Sequence, residues 1–591
     1  MQNKDVDARI PIHSKYLAAA ITCDPKLKMK EHNIAEQCAL VEEAARKGAK
    51  LIVLPEMSTT GYCWYDRQEI APFVEPIPGP TTDQFGKLAK NYDCWIVVGL
   101  PEVDGPSGIY YNSAALIGPD GVVAVHRKTH NYVCEGRWAK QGDRDHMVYD
   151  TPIGRIGLLV CMDINIMETA RLEGVRGADV IVCISNWVED KAPAMTWFTR
   201  AYENGVYVVV SDRAGLERGT EFNGGSCVIS PEGRLLACAD TAPCIAYGEI
   251  DIEKARDKSF SGYGHKFLDR RPREYMDIVL DPYLWDPQLG QGLYNHDPLP
   301  AGKVSRIGVS QFMPETGGLA ANLARIEEEA VLLGNDGCEL IVFPELTLTG
   351  FPSAKDAAAL AETVPGPSSD QLLDICLRRR VYMVVGMIER DGDALYNTAV
   401  LYSPEGILGM HRKLHLDVFD EGWAAPGNLG IHHFNTALGR IGILIGHDAD
   451  FPETARVHAL HGVDILCCPA AVSSPVPQAL AETKTWHKNT EPYGHANVWW
   501  HLWRVRGGEN NYYVAFANAQ GLLPDGRRCF GRSGVFQPMI WVYPRNEVVL
   551  GGQADDRASI LVDTSSSGDT HQKYLMPMRR TIWYDPLVTV D

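Results

Sequence analysis

The stretch GRIGLLVCMDINIMETAR, residues 154–171, decides the fold, because a nearly identical stretch, GRIGILIGHDADFPETAR, occupies residues 439–456. The two stretches start 285 residues apart in a chain of 591 residues, which leaves room for two copies of one domain. Each begins with a short apolar run typical of a buried strand and ends in a pattern typical of a helix. One difference between the stretches is important, since Cys161 in the first aligns with Gly446 in the second.

The repeat extends over most of both halves. The segment LIVLPEMSTTGY around Glu56 returns as LIVFPELTLTGF around Glu345, and HRKTH around Lys128 returns as HRKLHL around Lys413. Equivalent residues lie 285 to 289 positions apart through these motifs, and the separation then grows to 306. The jump predicts an insertion in the second copy, between about residues 473 and 503.

The chain should therefore hold two globular domains and their tails. An apolar content of 45% is enough to build two large cores, which argues against disorder. We predict a first domain over residues 13–255, its tail and a linker over 256–302, a second domain over 303–563, and a C-terminal tail over 564–591.

Net charge and cysteine spacing bear on the partners and the cellular compartment of the protein. A net charge of -19 disfavours nucleic acid and anionic membrane surfaces as partners. The fifteen cysteines show no regular spacing, which is typical of reduced thiols in a cytoplasmic protein. No signal peptide and no run of about 18 apolar residues is evident in the sequence. We expect a cytoplasmic protein without a nucleic-acid or membrane partner.

The order of apolar and amphipathic segments predicts the α/β class. Runs such as AKLIVLPE, CWIVVGLPE, IGLLVCMD, ADVIVCISN and VYVVVSDRA alternate with amphipathic stretches such as HNIAEQCALVEEAARKGA. Strands this rich in Val, Ile and Leu are buried on both faces, so helices should pack outside the sheets. Glu56, Cys161 and Asn186 each follow such a strand, and active sites of α/β sheets collect at that edge.

Glu56, Lys128 and Cys161 together suggest chemistry on a carbonyl carbon. A thiol is a strong nucleophile only as a thiolate, so it needs a neighbouring base or cation. A carboxylate can take the proton, and an ammonium group can stabilise the oxyanion of a tetrahedral intermediate. Singly, the cysteine reads as a small buried apolar residue and the lysine as a surface charge. As a set, the three residues favour acyl transfer through a thioester.

At this point the chain resembles the nitrilase (carbon-nitrogen hydrolase) superfamily, twice over. The first copy matches the glutamate motif with LPEMSTTGY, the lysine motif with HRKTHNYVCEGRW and the cysteine motif with LLVCMD, in the family's order. The resemblance implies two tandem four-layer αββα sandwich domains. It also implies Glu56 as general base, Lys128 as oxyanion stabiliser, Cys161 as nucleophile, and Glu135 as the glutamate that positions substrate and water.

The same resemblance suggests substrate-binding residues and a reaction. Asn186 and Trp187 correspond to the family's pocket wall, although a purely structural tryptophan fits the same position, and the backbone N–H of Met162 can complete an oxyanion hole. True nitrilases usually carry Trp-Glu after the nucleophile, whereas this chain reads Met162-Asp163. We therefore expect hydrolysis of a small neutral amide or N-carbamoyl compound with release of ammonia. Nitrile hydrolysis and a non-catalytic binding or scaffold role remain the alternatives.

The second copy should be catalytically silent. It has Gly446 in place of the nucleophile and Ala471 in place of Asn186. The motifs predict that it keeps the other charged positions as Glu345, Lys413, Glu421 and Asp448. Glu345 and Lys413 can simply satisfy each other as a buried pair. We predict that this copy serves architecture or regulation.

Partners and cofactors complete the expectation. The tails DRRPREY (269–275) and MRRTIWY (578–584) resemble segments through which family members pair, so the tandem would imitate a homodimer within one chain, with further homo-oligomers open. His458 and His461 lie three apart on a predicted helix, but no Cys or carboxylate follows at ligand-like spacing. We expect a small-molecule substrate, no metal and no cofactor.

Overall fold

A computed structural model describes residues 13–188, 192–260, 263–284, 298–473, 498–539, 546–552, 554–568, 570 and 573–589. Their contacts form two compact units. The first unit is built on the described residues up to Lys258 and on those from Ile582 onward, and the second on those of Ser259–Gln478 and Leu502–Thr581. Residues 474–497, most of the predicted insertion, lie outside the described residues. The domain boundaries drawn from the sequence stay predictions.

The first unit contains two six-stranded sheets, and each predicted apolar run is a strand. The first sheet has the order Cys244–Asp251, Lys15–Thr22, Ala49–Val53, Trp95–Val103, Tyr110–Gly118 and Gly121–Arg127. The second sheet has the order Leu235–Ala239, Ser226–Ile229, Tyr207–Asp212, Val180–Ser185, Gly154–Val160 and Val148–Thr151. The strands Lys15–Thr22 and Tyr207–Asp212 bring the two sheets face to face.

Helices cover the outer faces of both sheets of this unit. Lys30–Arg46 and Pro80–Tyr92 bury Val41, Ala44 and Phe85 against the first sheet. Met167–Val175 and Met195–Asn204 pack on the second sheet. Short helices span Arg67–Ile70 and Ile252–Arg256, and a hairpin joins Ala214–Glu217 to Thr220–Asn223. The predicted four-layer αββα sandwich is confirmed.

The second unit repeats this plan. One sheet has the order Gly406–Arg412, Ala394–Ser403, Tyr382–Asp391, Leu340–Val342, Val304–Gln311 and Asp556–Asp563. The other has the order His433–Thr436, Gly439–Ile443, Ile465–Ala470, Tyr513–Asn518, Gly534–Phe536 and Val548–Val549. The covering helices are Leu319–Asn335, Pro367–Arg379, Pro452–Leu460 and Val498–Asn510, with a short helix at Ala357–Leu360. Buried residues of both sheets, such as Val309 and Ile443, share one core.

Each unit also contains the tail of the other copy. In the first unit, Trp583 packs edge-on against His146, and Tyr584 and Leu587 are fully buried. In the second unit, Tyr275 is fully buried and stacks on His415. All fifteen cysteines lie in the described part of the chain, where none forms a disulfide. Within that part, no helix is both long and apolar enough to cross a bilayer.

Three neighbouring parallel strands place the residues of interest at one edge. Val160 pairs with Ile184, and Ser185 pairs with Asp212, so the strands Gly154–Val160, Val180–Ser185 and Tyr207–Asp212 end side by side. The chain turns sharply after the first of them, because Cys161 has a φ of 47°. Gly446 has a φ of 43° at the equivalent turn of the second unit. A left-handed backbone costs a residue with a Cβ about 1 kcal/mol, and glycine adopts it freely.

Candidate active site

Glu56, Lys128 and Glu135 form one buried hydrogen-bonded cluster. The Lys128 ammonium donates to Glu56 Oε1 at 2.7 Å and to Glu135 Oε2 at 2.6 Å. The Asn112 side-chain amide donates to Glu56 Oε1 at 2.6 Å and also to Glu135. All three charged side chains are shielded from solvent. The structure thus brings together the glutamate and lysine residues predicted from separate motifs.

Burial sets the protonation of this cluster. It raises the pKa of Glu56 to about 7, against the lowering effect of Lys128 and with a further rise from Glu135. Burial disfavours the charged form of Lys128, but the carboxylates of Glu135 and Glu56 outweigh it and raise the lysine pKa well above its usual value. Oε2 of Glu56 has no hydrogen-bond partner in the described part of the chain. Glu56 can therefore accept a proton near neutral pH, and Lys128 stays charged.

Cys161 faces this cluster from the turn after its strand. The side chain is buried, and burial together with the Glu56 carboxylate raises the pKa of the thiol, while Lys128 lowers it. The resting cysteine is therefore a neutral thiol. Its ionisation requires a base at hand, and Glu56 is the carboxylate that faces it.

Asp163 anchors the turn, a role that the sequence pattern did not predict. Its Oδ1 accepts hydrogen bonds from the backbone N–H groups of Thr129 and His130, at 3.1 and 2.9 Å. Its Oδ2 lies 2.9 Å from His126 Nε2 and accepts from the backbone N–H of Val160 at 3.1 Å. The carboxylate thus ties the cysteine turn to the segment that carries Lys128. The matching aspartate two residues after Cys161 and Gly446 in both repeats was the available signal.

The predicted substrate-binding residues lie at the same edge and are almost fully buried. The backbone N–H of Asn186 helps to lower the pKa of the Cys161 thiol, and neither side-chain polar atom of Asn186 has a described partner. The Trp187 backbone donates to Asp212 Oδ1 at 2.7 Å, and its ring packs edge-on against Trp197 at 5.2 Å. Trp187 therefore has structural contacts through both its backbone and its ring. Met162 follows Cys161 directly and is buried too.

Arginines do not supply an obvious anchor for a substrate anion. Arg213 is buried, and its guanidinium donates to Glu217 at 2.9 Å and to Asp24 at 3.2 Å. Glu217 in turn accepts from the backbone N–H groups of the loop that carries Tyr62. Arg137 is exposed. The charge of Arg213 is thus already neutralised within the unit.

The second copy keeps a lysine cluster with a different composition. Lys413 donates to Glu345 at 2.7 Å, to Asp417 at 2.8 Å and to Asp420 at 2.8 Å. Asn397 bridges Glu345 and Asp420 as Asn112 bridges the first site. The match of Glu421 to Glu135 is therefore wrong, because Glu421 is exposed and Asp420 takes that place.

The carboxylates of this cluster could in principle bind a metal ion. Oxygen atoms of Glu345, Asp417 and Asp420 lie within 4.8 Å of one another, the one such group of potential ligands in the described ranges. The Lys413 ammonium sits at hydrogen-bond distance from all three, so a cation already holds them together. His458, predicted on a helix surface, is instead buried, and burial lowers its pKa well below the usual value.

The second copy differs from the first at the cysteine position and around Arg213. A Cβ on Gly446 would lie 2.7 Å from Glu345 Oε2, so the carboxylate fills part of the space that a cysteine needs. An apolar cluster replaces the charged group around Arg213. Asp24, Arg213 and Glu217 correspond in the repeat to Met313, Ala519 and Leu523 of that cluster.

Both halves of the chain match the same family of known proteins. The family described as carbon-nitrogen hydrolase matches residues 17–259 and again residues 306–547. A nitrilase of Pyrococcus abyssi (strain GE5 / Orsay) is 36% identical over 260 residues, covering 44% of this chain and 98% of that protein. Omega-amidase NIT2 of Homo sapiens is 31% identical over 241 residues, covering 38% and 85%. The crystal structure of an amidase from Nesterenkonia sp. is 22% identical and covers 42% and 96%, with a TM-score of 0.36.

Proposed function

Because this chain belongs to the carbon-nitrogen hydrolase family in both halves, and is thus a hydrolase of carbon-nitrogen bonds, we propose that its first unit hydrolyses small neutral amides through a thioester on Cys161. The observation that carries the proposal is the buried Glu56–Lys128–Glu135 cluster facing a buried thiol. The second copy lacks the thiol and takes no part in the chemistry.

The geometry supports a two-step reaction. Glu56 takes the proton of Cys161 as sulfur attacks the amide carbon, and the oxygen that gains charge is stabilised by the Lys128 ammonium and the Met162 backbone N–H. Glu56 then gives the proton to the leaving nitrogen, so ammonia departs and a thioester remains. In the second step, Glu56 takes a proton from water, hydroxide adds to the thioester, and the thiol leaves with that proton. Glu135 orients Lys128 and the water.

A neutral substrate fits the charges of the site. Arg213 is paired with Glu217 and Asp24, and Arg137 is exposed. The unpartnered side-chain amide of Asn186 offers both a donor and an acceptor to an uncharged carboxamide or N-carbamoyl group. Trp187 would close the apolar side of the pocket.

A second candidate reaction is nitrile hydrolysis, favoured by the nitrilase of Pyrococcus abyssi at 36% identity. Ammonia release from matched amides, N-carbamoyl amines and nitriles would separate the two, together with intact-mass detection of an acyl adduct. We expect turnover of amides and an adduct that Cys161→Ala abolishes. Turnover of nitriles alone would favour the second candidate. Absence of turnover, with an unreactive Cys161, would leave only a binding or scaffold role.

We also propose a cellular location and an assembly for the enzyme. We place it in the cytoplasm, which fifteen unpaired cysteines support. We propose that the second copy replaces the partner subunit of a homodimer, since residues from Ile582 onward complete the first unit. Sedimentation of the full chain tests whether the tandem stays a monomer or assembles further.

A further inference from the structure

We propose that Ser185 and Asp212 form a hydrogen-bonded pair behind the nucleophile, in which the Ser185 hydroxyl donates to the Cys161 sulfur as the thiol ionises. Asp212, acting as a neutral acid, donates its own proton to the Ser185 oxygen and so points the serine hydrogen toward sulfur. This deepens the proposed function and rests on it for its catalytic meaning. Ser185 touches the reacting atom, and Asp212 is a positioning residue.

The topology of the sheet brings these residues together. Cys161, Ser185 and Asp212 stand at the carboxyl ends of three adjacent parallel strands, and Ser185 and Asp212 are direct partners in the register. Because Val160 pairs with Ile184 and Ser185 pairs with Asp212, Ser185 stands between Cys161 on one neighbouring strand and Asp212 on the other. The Ser185 hydroxyl therefore lies between the thiol and a buried acid.

Both polar groups lack a well-formed contact in the resting geometry. Ser185 and Asp212 are fully buried. Oδ1 of Asp212 accepts from the Trp187 backbone at 2.7 Å, but Oδ2 of Asp212 and Oγ of Ser185 have no hydrogen-bond partner among the described residues. Buried hydroxyl and carboxyl oxygens are costly to leave unpaired. Their placement beside a thiol that must become an anion gives them a partner during catalysis.

The direction of the hydrogen bonds requires a neutral Asp212. An ionised Asp212 accepts only, so it would draw the serine hydrogen away from sulfur. Burial raises the pKa of Asp212 well above its usual value, and the Glu56 charge adds to the rise. The Trp187 N–H, the Ser185 hydroxyl and the Arg213 charge oppose it. The ionisable groups that face the thiol are Glu56, Lys128, Tyr62 and Cys183, of which only Lys128 favours a thiolate. A neutral donor chain adds support for the thiolate without adding a negative charge.

The second copy provides an independent observation, because it has lost the whole set. Ala470 and Asn518 hold the positions of Ser185 and Asp212 and are paired in the same register. Asn518 Oδ1 accepts from the Val472 backbone N–H at 2.7 Å, as Asp212 accepts from Trp187. An asparagine is the uncharged isostere of a protonated aspartate. The second copy thus places an uncharged acceptor at this strand end, its amide donates to the Gly531 carbonyl at 2.8 Å, and the serine is found in the copy that has the thiol.

The pH dependence of Cys161 alkylation by iodoacetamide tests the pair without any substrate. We expect Ser185→Ala to lower the rate about tenfold at neutral pH and to move the alkylation midpoint upward by about one pH unit, the effect of one hydrogen bond to an anion. Asp212→Ala should do the same, and Asp212→Asn should restore the wild-type midpoint, because its amide donates in the same direction. Ala470→Ser in the silent copy is the matched control, and it should change neither the midpoint nor amide turnover.

Two results would overturn the pair. An unchanged midpoint in Ser185→Ala shows that the hydroxyl does not touch the sulfur. A lower midpoint in Asp212→Asn shows that Asp212 is ionised in the native protein. Circular dichroism and thermal unfolding of each variant establish folding, and Ala470 shows that alanine fits this strand end. If the wild type shows no amide turnover but the variants still shift the alkylation midpoint as expected, the proposed function is wrong and the Ser185–Asp212 pair is still supported.

Discussion

In the first copy Cys161 occupies the turn after its strand, and in the second copy Gly446 occupies the equivalent turn. The two residues have almost the same backbone conformation, with φ values of 47° and 43°. The aspartate that ties down the turn is equally placed in both. Asp448 accepts from the backbone N–H groups of Leu414 and His415 at 3.0 and 2.8 Å, as Asp163 does from its own neighbours. The turn therefore keeps its backbone conformation and its anchoring aspartate with or without a cysteine.

The difference between the two copies indicates which residues are informative about catalysis. A buried lysine cannot be removed from its carboxylates without leaving charges unpaired, so stability alone is a sufficient reason for Glu345 and Lys413 in a copy that lacks the thiol. The residues lost together with the thiol are Ser185, Asn186 and Asp212, replaced by Ala470, Ala471 and Asn518. An intact glutamate–lysine pair is thus weak evidence for activity, and the polar groups at the strand ends are stronger evidence.

The largest expected effect is on turnover. Cys161→Ala should lower amide hydrolysis by at least about a thousandfold, because the thioester cannot form. Gly446→Ala should leave turnover within about twofold of the wild type. Steady-state ammonia release from both variants measures the contrast. Comparable losses in the two variants would mean that the second unit takes part in the reaction.

The next largest effect is on stability. Lys413→Met should lower the free energy of unfolding by about 3 to 5 kcal/mol, because three buried carboxyl groups lose their cation. The loss should grow as pH rises, since the remaining carboxyls are tolerated only when protonated. Urea unfolding at pH 6 and pH 8 checks the size and the sign.

Lys128→Met is the matched variant. It leaves two carboxyls instead of three, so it should cost less stability while it abolishes turnover. Lys413→Met should keep its turnover at temperatures where it is folded. A larger stability loss in Lys128→Met would contradict the view that the silent cluster is held by its lysine.

A third effect concerns pH. The pKa of Glu56 is raised to about 7 by burial, and Glu56 must be ionised to take the thiol proton. We expect kcat/KM for amides to rise about tenfold per pH unit below pH 7 and to level off above it. Glu56→Gln should remove this limb along with nearly all activity. A limb with its midpoint near the usual glutamate pKa would indicate another base.

The smallest expected effect comes from returning the nucleophile. Gly446→Cys in a Cys161→Ala background should restore no measurable turnover, because Ala470 and Ala471 stand there in place of Ser185 and Asn186. It should cost about 1 kcal/mol, since a Cβ at residue 446 meets Glu345 at 2.7 Å in a left-handed turn. Ammonia release and thermal unfolding report both. Recovered amide hydrolysis would show that the frame alone suffices.

Much of this was accessible from the sequence. The repeat, the apolar strands and the motifs around Glu56, Lys128 and Cys161 predicted the fold and the cluster, because parallel strands that end alike bring their last residues together. The role of Asp163 was missed, since a carboxylate that binds backbone N–H groups has no spacing of its own. Glu421 was assigned wrongly because the neighbouring Asp420 carries the same carboxylate and differs from a glutamate only by one methylene group.

One feature of the fold bears on biogenesis. Residues 582–589 pack in the first unit, with Tyr584 and Leu587 fully buried. The unit that carries Cys161 is therefore translated before the second unit but is complete only after residues 582–589 have been translated as well. A premature stop codon just before residue 582 would spare every residue of the proposed site and still leave that unit incomplete.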